Sequence, residues 1–206
     1  MKNFITFEGG EGAGKTTLLE KLKQFCLENN IKAEFTREPG GLKECEYIRT
    51  LLKSSPNLST KTQLLLFSAC RSHLCENLII PSVEQGAIVF CDRFFDSTRI
   101  YQGYCGELSD DEIMKVTKVA VQSAIPQLTF FLDIDPVEAF KRKGGADKGD
   151  VFEEKGIKFH QKIREGYNML CLKEPERFRK IDASQPADKV FSDVIEILKK
   201  EKVINA

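Results

Sequence analysis

The stretch that decides the fold runs from Phe4 to Thr17 and reads FITFEGGEGAGKTT, an apolar run followed by a match to the pattern G-x-x-x-x-G-K-T. In this pattern the glycines let successive backbone N–H groups converge on an anion, and the helix that follows adds positive potential at its N-terminus. We therefore predict that the loop binds the phosphates of ATP, that Lys15 reaches the terminal phosphates as a catalytic residue, and that Thr16 binds magnesium. The predicted ATP-binding residues are Gly9, Gly10, Glu11, Gly12, Ala13, Gly14, Lys15, Thr16 and Thr17.

On either side of this loop, short β-branched or aromatic runs alternate with longer stretches of helical apolar spacing. The predicted strands are residues 4–8, 32–36, 87–91, 128–133 and 178–181. The predicted helices are residues 15–28, 43–53, 61–79, 110–123, 137–143, 153–171 and 187–200. Because several strands are apolar enough to be covered on both faces, we predict an α/β fold with a mostly parallel five-stranded sheet and helices on both faces. A chain of 206 residues favours one domain.

The composition narrows the possible partners. The chain carries 31 basic and 31 acidic side chains, so no overall field attracts a nucleic acid or an acidic membrane. No run of about 18 apolar residues occurs, and the N-terminus has no apolar stretch of the kind that directs secretion. The seven cysteines form an odd set with no C-x-x-C pair, which favours reduced thiols. We therefore expect a cytoplasmic protein with neither nucleic-acid nor membrane partners.

Charged residues follow the second and third predicted strands, where ligands bind in parallel sheets. The second strand runs into TREPGG at residues 36–41, and the third ends in Asp92-Arg93. We predict that Asp92 contributes to the magnesium site and that Arg93 is a catalytic residue that holds two phosphates together. The chain contains neither the N-K-x-D nor the D-x-x-G motif of switch GTPases. A compact phosphotransferase, with its second substrate beside the first, therefore fits best.

Four segments together resemble the thymidylate kinase family in its bacterial form, with matching spacing over nearly the whole chain. They are residues 7–17, 36–41, 92–94 and 97–103. The resemblance implies a P-loop nucleoside monophosphate kinase fold, with ATP and dTMP as substrates and Mg²⁺ as cofactor. It implies transfer of the ATP γ-phosphoryl group to dTMP, which gives dTDP in pyrimidine deoxynucleotide (dTTP) biosynthesis. It also suggests a homodimer formed through apolar helices such as residues 64–79.

The same resemblance assigns a dTMP site residue by residue. Phe67 falls where the family stacks the thymine ring, Arg71 where it contacts a base carbonyl, and Tyr101 where it crowds out a ribose 2′-hydroxyl. Thr98 and Gln102 fall where the pyrimidine edge is read. The full set implied is Glu11, Arg37, Glu38, Arg49, Phe67, Arg71, Arg93, Ser97, Thr98, Tyr101 and Gln102. In this set Glu11 would contact the sugar 3′-hydroxyl, and Arg37, Arg49 and Arg93 would surround the acceptor phosphate.

A lid is expected at about residues 141–153, a basic and glycine-rich stretch. The bacterial form of the family supplies an arginine from this lid, in a run of Asp-Arg, an apolar residue and Glu. Here residues 150–153 read DVFE, so that arginine is missing. Arg142 is therefore the predicted catalytic lid residue, with Lys143 and Lys148 as alternatives.

Two other functions stay open from the sequence. A deoxynucleoside kinase would phosphorylate a hydroxyl and would need a carboxylate base, a role that Glu38 could fill. A module that binds ATP without catalysis would use the same loop only as a switch. The three arginines at positions 37, 49 and 93 favour an acceptor that already carries a phosphate.

Overall fold

The five strands lie side by side in one sheet, in the order β2-β3-β1-β4-β5. The structure is a computed structural model that describes residues 1–143 and 156–205. The strands are β1 (Phe4–Glu8), β2 (Ala33–Arg37), β3 (Ile88–Asp92), β4 (Leu128–Asp133) and β5 (Phe178–Asp182). Every neighbouring pair is parallel, which confirms the predicted α/β fold and its parallel sheet. Two strands start and end one residue later than predicted, so that Arg37 and Asp92 are their last residues.

The helices follow the predicted order, with two additions. They are α1 (Lys15–Glu28), α2 (Lys43–Ser54), α3 (Thr60–Leu74), α4 (Ile80–Glu84), α5 (Phe95–Thr98), α6 (Asp110–Val121), α7 (Pro136–Lys143), α8 (Gly156–Lys173) and α9 (Ala187–Lys200). A π-helical turn, Cys75–Ile79, joins α3 to α4, and a second one, Arg99–Tyr104, follows α5. The helix predicted to end at residue 79 therefore continues to Glu84. Pro81 explains the first π turn, because its ring clashes with the carbonyl four residues earlier in a regular α-helix.

Alternate residues of β1 face opposite layers of helices. Ile5 and Phe7 pack in a core cluster with residues of α1 and α9. Phe4 packs on the other side with residues of α3 and α6. This alternation follows from the two-residue period of a strand and confirms the prediction that helices cover both faces.

Residues 144–155 lie outside the described part of the chain, so the predicted lid can be followed only through Lys143. The helix predicted at residues 153–171 is described from Gly156 to Lys173. Among the residues that the structure describes, no helix is both long and apolar enough to cross a membrane.

A buried ion cluster ties the segment after β3 to the strand at the far edge of the sheet. Asp96 is fully buried and accepts hydrogen bonds from Arg177 Nη1 and Nη2 at 2.6 and 2.9 Å, and from Arg99 Nη1 at 3.2 Å. Arg177 also donates to Thr129 Oγ1 on β4 at 2.7 Å. Because a buried carboxylate needs such donors, this cluster fixes the position of the short helix α5.

We expect Arg177→Ala to lower the free energy of unfolding by about 3 kcal/mol, because the change leaves Asp96 buried with Arg99 as its remaining ionic partner among the described residues. Urea unfolding of wild type and variant measures the difference. As a control, Lys115→Ala removes an exposed ion pair with Asp111 on α6 and should leave the unfolding midpoint nearly unchanged. Equal effects of the two substitutions would contradict this role of Arg177.

Candidate functional site

The glycine-rich loop between β1 and α1 is shaped by close contacts with the neighbouring strand and helix. Gly9 has φ 148° and Gly12 has φ 71°. A Cβ atom at Gly9 would lie 2.8 Å from the Leu132 carbonyl oxygen, and one at Gly12 would lie 2.8 Å from the Ala139 carbonyl oxygen. Only glycine fits these two positions, so the backbone of the loop can curl as an anion site requires.

Lys15 is buried and lies folded back over this loop. Its Nζ donates to the carbonyl oxygens of Gly9 and Gly10, both at 3.2 Å. Burial lowers the pKa of Lys15, and the nearby Arg93 guanidinium adds to that effect. An anionic ligand in the loop would offset both, because it supplies the negative charge that a buried ammonium group otherwise lacks.

Oxygen atoms of the kind that Mg²⁺ prefers as ligands lie next to the loop. Asp92 is the last residue of β3 and pairs in register with Phe7 of β1. Its Oδ1 atom is buried and has no hydrogen-bond partner among the residues that the structure describes. Thr16 is exposed at the second residue of α1. A carboxylate oxygen without a partner and a hydroxyl group are suitable ligands for a hard cation, so these residues fit a magnesium ion.

A pocket opens beside the loop at the carboxyl edge of the sheet. It is lined by Glu11, Glu38, Pro39, Arg49, Leu52, Lys53, Phe67, Arg93, Phe94, Ser97, Thr98, Tyr101 and Gln102. All residues of the predicted dTMP set except Arg37 and Arg71 are in this lining. Sequence reasoning did not assign Pro39, Leu52, Lys53 and Phe94 to the site. Pro39 and Phe94 lie in the segments that carry the family resemblance, whereas Leu52 and Lys53 belong to no motif.

Arg93 connects the pocket to the phosphate loop. Its Nη2 donates to Glu11 Oε1 in the loop at 2.9 Å, and its Nη1 donates to Ser97 Oγ at 3.2 Å. The guanidinium lies over the Tyr101 ring, 5.4 Å from the centroid. The backbone of Arg93 has φ 66°, an uncommon value for a residue with a side chain. That conformation turns the chain at the end of β3 and leaves one guanidinium in contact with both binding regions.

The floor of the pocket contains a buried ion pair. Arg71 Nε donates to Glu38 Oε2 at 3.0 Å, and its Nη2 donates to the other carboxylate oxygen and, at 2.8 Å, to Thr98 Oγ1. The third nitrogen, Nη1, is buried without a partner among the described residues. Buried donors are nearly always satisfied, so this one is a candidate contact for a ligand. Arg71 itself is fully buried and does not line the pocket.

The two other arginines of the predicted phosphate cluster differ in position. Arg49 lines the pocket and donates from Nη1 to the Pro39 carbonyl oxygen at 2.8 Å. Arg37 lies outside the lining, because its side chain is 52% exposed and pairs with Glu46 of α2 at 2.9 Å. The structure thus brings Arg49 and Arg93 together around the pocket but not Arg37, whose phosphate contact stays a prediction.

Aromatic and amide side chains complete the wall. Phe67 of α3 is half-buried in the lining, as is Tyr101 of the second π turn. Gln102 is buried and donates from Nε2 to Gln63 Oε1 at 3.1 Å. The sequence predicted hydrogen-bonding groups at residues 97–103 but no helix there. Polar side chains in this segment interrupt the regular apolar spacing by which a helix is recognised.

Glu8 is a residue that sequence reasoning missed. It is fully buried at the end of β1, directly before the loop, and accepts hydrogen bonds from Phe94, Ser97 and Tyr167. An acidic residue at the end of an apolar strand carries no signal of burial, since such residues usually lie at the surface.

Arg142 lies on α7, outside the lining of the pocket. Its Nη1 donates to the Ala183 carbonyl oxygen at 2.7 Å, and its Nη2 donates to the Ser184 carbonyl oxygen and to Glu138. Its catalytic role stays a prediction. Of the alternatives, Lys148 and the side chain of Lys143 lie outside the described residues.

Three comparisons relate the chain to known proteins. The family model described as Thymidylate kinase matches residues 7–194. The thymidylate kinase of Clostridium novyi (strain NT) is 42% identical over 201 residues, which are 95% of this chain and 98% of the relative. That of Dehalococcoides mccartyi (strain CBDB1) is 43% identical over 196 residues, 94% of each chain. The crystal structure of thymidylate kinase from Ehrlichia chaffeensis superposes on this chain with a TM-score of 0.77 at 32% sequence identity. The match covers 95% of this chain and 97% of that one.

The ion pair on the pocket floor predicts a pH dependence. Burial raises the pKa of Glu38 to about 7, although the Arg71 guanidinium opposes the rise. The native carboxyl group then retains a proton that the unfolded chain has already released, so the free energy of unfolding should fall as pH rises from about 4.5 to about 7. Urea unfolding across this range should show a steeper fall for wild type than for Glu38→Gln, which cannot titrate. Parallel pH profiles for the two proteins would contradict the assignment.

Proposed function

The chain belongs to the thymidylate kinase family, and from this premise we propose that the loop binds ATP, that the pocket binds dTMP, and that the γ-phosphoryl group passes between them beside Arg93. The enzyme phosphorylates dTMP to dTDP, a step of dTTP biosynthesis. The observation that supports this placement best is that Arg93 contacts Glu11 in the loop and Ser97 in the pocket. A guanidinium in that position can bind phosphate oxygens of both substrates.

On the donor side, the loop amides would hold the β- and γ-phosphates of ATP. Lys15 would exchange the carbonyl oxygens of Gly9 and Gly10 for phosphate oxygens, which offer a full negative charge to the buried ammonium group. We propose that Thr16 and Asp92 hold Mg²⁺. When bound, this ion neutralises charge on the β- and γ-phosphates.

On the acceptor side, Arg49 and Arg93 would hold the 5′-phosphate of dTMP. Phe67 would stack on the thymine ring, and Arg71 Nη1 would donate to a base carbonyl. The deoxyribose would lie against Tyr101, with Glu11 near its 3′-hydroxyl. The attacking oxygen belongs to a phosphate that is already anionic near neutral pH, so the reaction needs positioning and charge stabilisation but no dedicated base.

The contacts of Glu38 disfavour the alternative of a deoxynucleoside kinase. That reaction needs a carboxylate that can take a proton from a hydroxyl group. Both carboxylate oxygens of Glu38 instead accept hydrogen bonds from Arg71, and the residue is 4% exposed. Because both of its oxygens bind Arg71, the Glu38 carboxylate would orient that arginine rather than accept a proton from a substrate.

We also propose that the chain acts as a homodimer in the cytoplasm, with residues 1–206 as one domain and a lid at about residues 141–153. Large apolar side chains are exposed on α2 and α3, at Tyr47, Leu51 and Leu65, and a second copy could cover them. The seven cysteines form no disulfide bond with one another, which is typical of a reducing compartment.

The acceptor is tested directly by comparing dTMP with thymidine. We expect ADP release, measured in a coupled assay with ATP and Mg²⁺, to depend on dTMP and to be at background with thymidine, because Arg49 and Arg93 have no phosphate to bind in the nucleoside. The other deoxynucleoside monophosphates serve as controls for base recognition. Faster turnover with thymidine would reverse the assignment and make Glu38 the candidate base.

Lys15→Ala and Arg93→Ala should each lower kcat about a thousandfold, or about 4 kcal/mol, because both side chains stabilise charge that develops on the transferred phosphoryl group. Steady-state kinetics at saturating ATP and dTMP measure the effect. Arg37→Ala is the matched control, since this arginine lies outside the lining and pairs with Glu46; its expected change in kcat is below tenfold. Turnover within tenfold of wild type for Lys15→Ala or Arg93→Ala would remove that residue from the mechanism.

A further inference from the structure

Three hydrogen-bond donors converge on the buried carboxylate of Glu8. Its Oε1 accepts from the Phe94 backbone N–H at 2.8 Å. Its Oε2 accepts from Ser97 Oγ and from Tyr167 Oη, both at 2.7 Å. Glu8 is 0% exposed, so these groups, rather than water, solvate it. The carboxylate thus joins β1, the segment after β3 and helix α8 at one point behind the phosphate loop.

The direction of these hydrogen bonds determines how Ser97 can bind Arg93. A serine hydroxyl has one hydrogen and two lone pairs, whereas an ionised carboxylate can only accept. The Ser97 hydrogen is therefore directed to Glu8, at the shorter distance of 2.7 Å. The lone pairs of Ser97 Oγ are left to accept from Arg93 Nη1 at 3.2 Å. Arg93 can only donate, so the contact uses a lone pair of Ser97 Oγ, and the hydrogen bond to Glu8 fixes where that lone pair points. Ser97 Oγ also lies 3.0 Å from Tyr167 Oη.

Tyr167 supports the same arrangement. Its hydroxyl hydrogen is directed to Glu8 Oε2, and its ring stacks on Phe131 at a centroid distance of 5.0 Å. The pKa of Glu8 is raised above its usual value by burial and by the neighbouring Asp96 carboxylate, although Arg93 and the two hydroxyl donors oppose the rise. All three hydrogen bonds nevertheless place Glu8 as the acceptor, which is the role of a carboxylate.

We propose that Glu8 is a positioning residue that acts through the Ser97 hydroxyl to hold Arg93 in the orientation that binds the acceptor phosphate. The inference rests on the proposed function, in which Arg93 contacts the phosphate of dTMP. It assigns Glu8 a role distinct from that of the loop residues that follow it, because the hydrogen bonds of its carboxylate go to the pocket wall and to α8.

Glu8→Gln tests this with little change of shape. The amide oxygen can still accept from the Phe94 N–H, but the amide nitrogen then faces the Ser97 and Tyr167 oxygens as a donor. Ser97 then accepts from the introduced amide with one lone pair and turns its hydrogen to Tyr167 Oη, 3.0 Å away. One lone pair remains for Arg93, but the hydroxyl is no longer held by the carboxylate, so the hydrogen bond that orients Arg93 is weakened. Ser97→Ala removes the same acceptor directly.

Calorimetric titration of dTMP and of thymidine separates an effect on Arg93 from a general defect, because thymidine lacks the phosphate. We expect Glu8→Gln and Ser97→Ala each to raise the Kd of dTMP about tenfold and to leave the Kd of thymidine within twofold. The double variant should be no weaker than Ser97→Ala alone, because Glu8 acts through that hydroxyl. Additive losses in the double variant, or equal losses for dTMP and thymidine, would overturn the proposal.

Two further variants complete the test. Thr117→Val deletes another buried hydroxyl, one without a hydrogen-bond partner among the described residues, and should change neither Kd. Arg93→Ala removes the phosphate contact itself, so its loss of dTMP affinity relative to thymidine is the largest that the other variants can reach. If Arg93→Ala itself leaves dTMP and thymidine binding in their wild-type ratio, the placement of the acceptor phosphate is wrong, and the inference about Glu8 fails with it. Should Glu8→Gln not fold, Glu8→Asp replaces it in the same cycle with the same expected direction, because a carboxylate that is one methylene shorter cannot reach Ser97 Oγ and the Phe94 N–H together.

Discussion

The parallel pairing of β1 with β3 is the constraint on which the site depends. In this register Phe7 lies opposite Asp92, so the phosphate loop and the Asp92-Arg93 turn leave the sheet at the same edge. The backbone N–H of Arg93 donates to the Phe7 carbonyl oxygen at 2.9 Å and extends the pairing by one residue. A slip of one residue would place the Arg93 side chain on the opposite face, away from Glu11.

Buried carboxyl groups with their donors hold the wall of the pocket in place, together with the apolar packing of Phe94, Phe95 and Ile100. The wall is carried by a helix of four residues and a π turn, elements too short to be stable by themselves. The carboxylates of Glu8, Glu38 and Asp96 each accept hydrogen bonds from this wall or from the helices around it. Removing one partner of such a group leaves a desolvated charge, so the wall has few alternative arrangements.

The sequence was sufficient for the sheet and for most of the pocket because their signals are local. Strand composition and the loop motif predicted five strands to within one residue, and the family resemblance supplied residues such as Phe67 and Gln102. Other features depend on contacts distant in the chain. The burial of Glu8 depends on Tyr167, which is 159 positions away, and the exposure of Arg37 depends on a pair with Glu46 that the strand pattern does not contain. Neither pairing follows from periodicity or from a motif.

Under the proposed function, Arg71 Nη1, which has no partner among the residues that the structure describes, would allow the pocket to distinguish bases. A buried donor without an acceptor costs about 1–3 kcal/mol, and a ligand that supplies a carbonyl oxygen removes that cost. A thymine carbonyl meets this need, whereas the exocyclic amino group of cytosine would direct hydrogens at a cation. Since Glu38 and Thr98 already fix the orientation of the guanidinium, it cannot turn to relieve such a mismatch. Under the proposed function, discrimination between bases would therefore arise from a donor held in place before the ligand binds, and the buried ion pair would contribute to specificity.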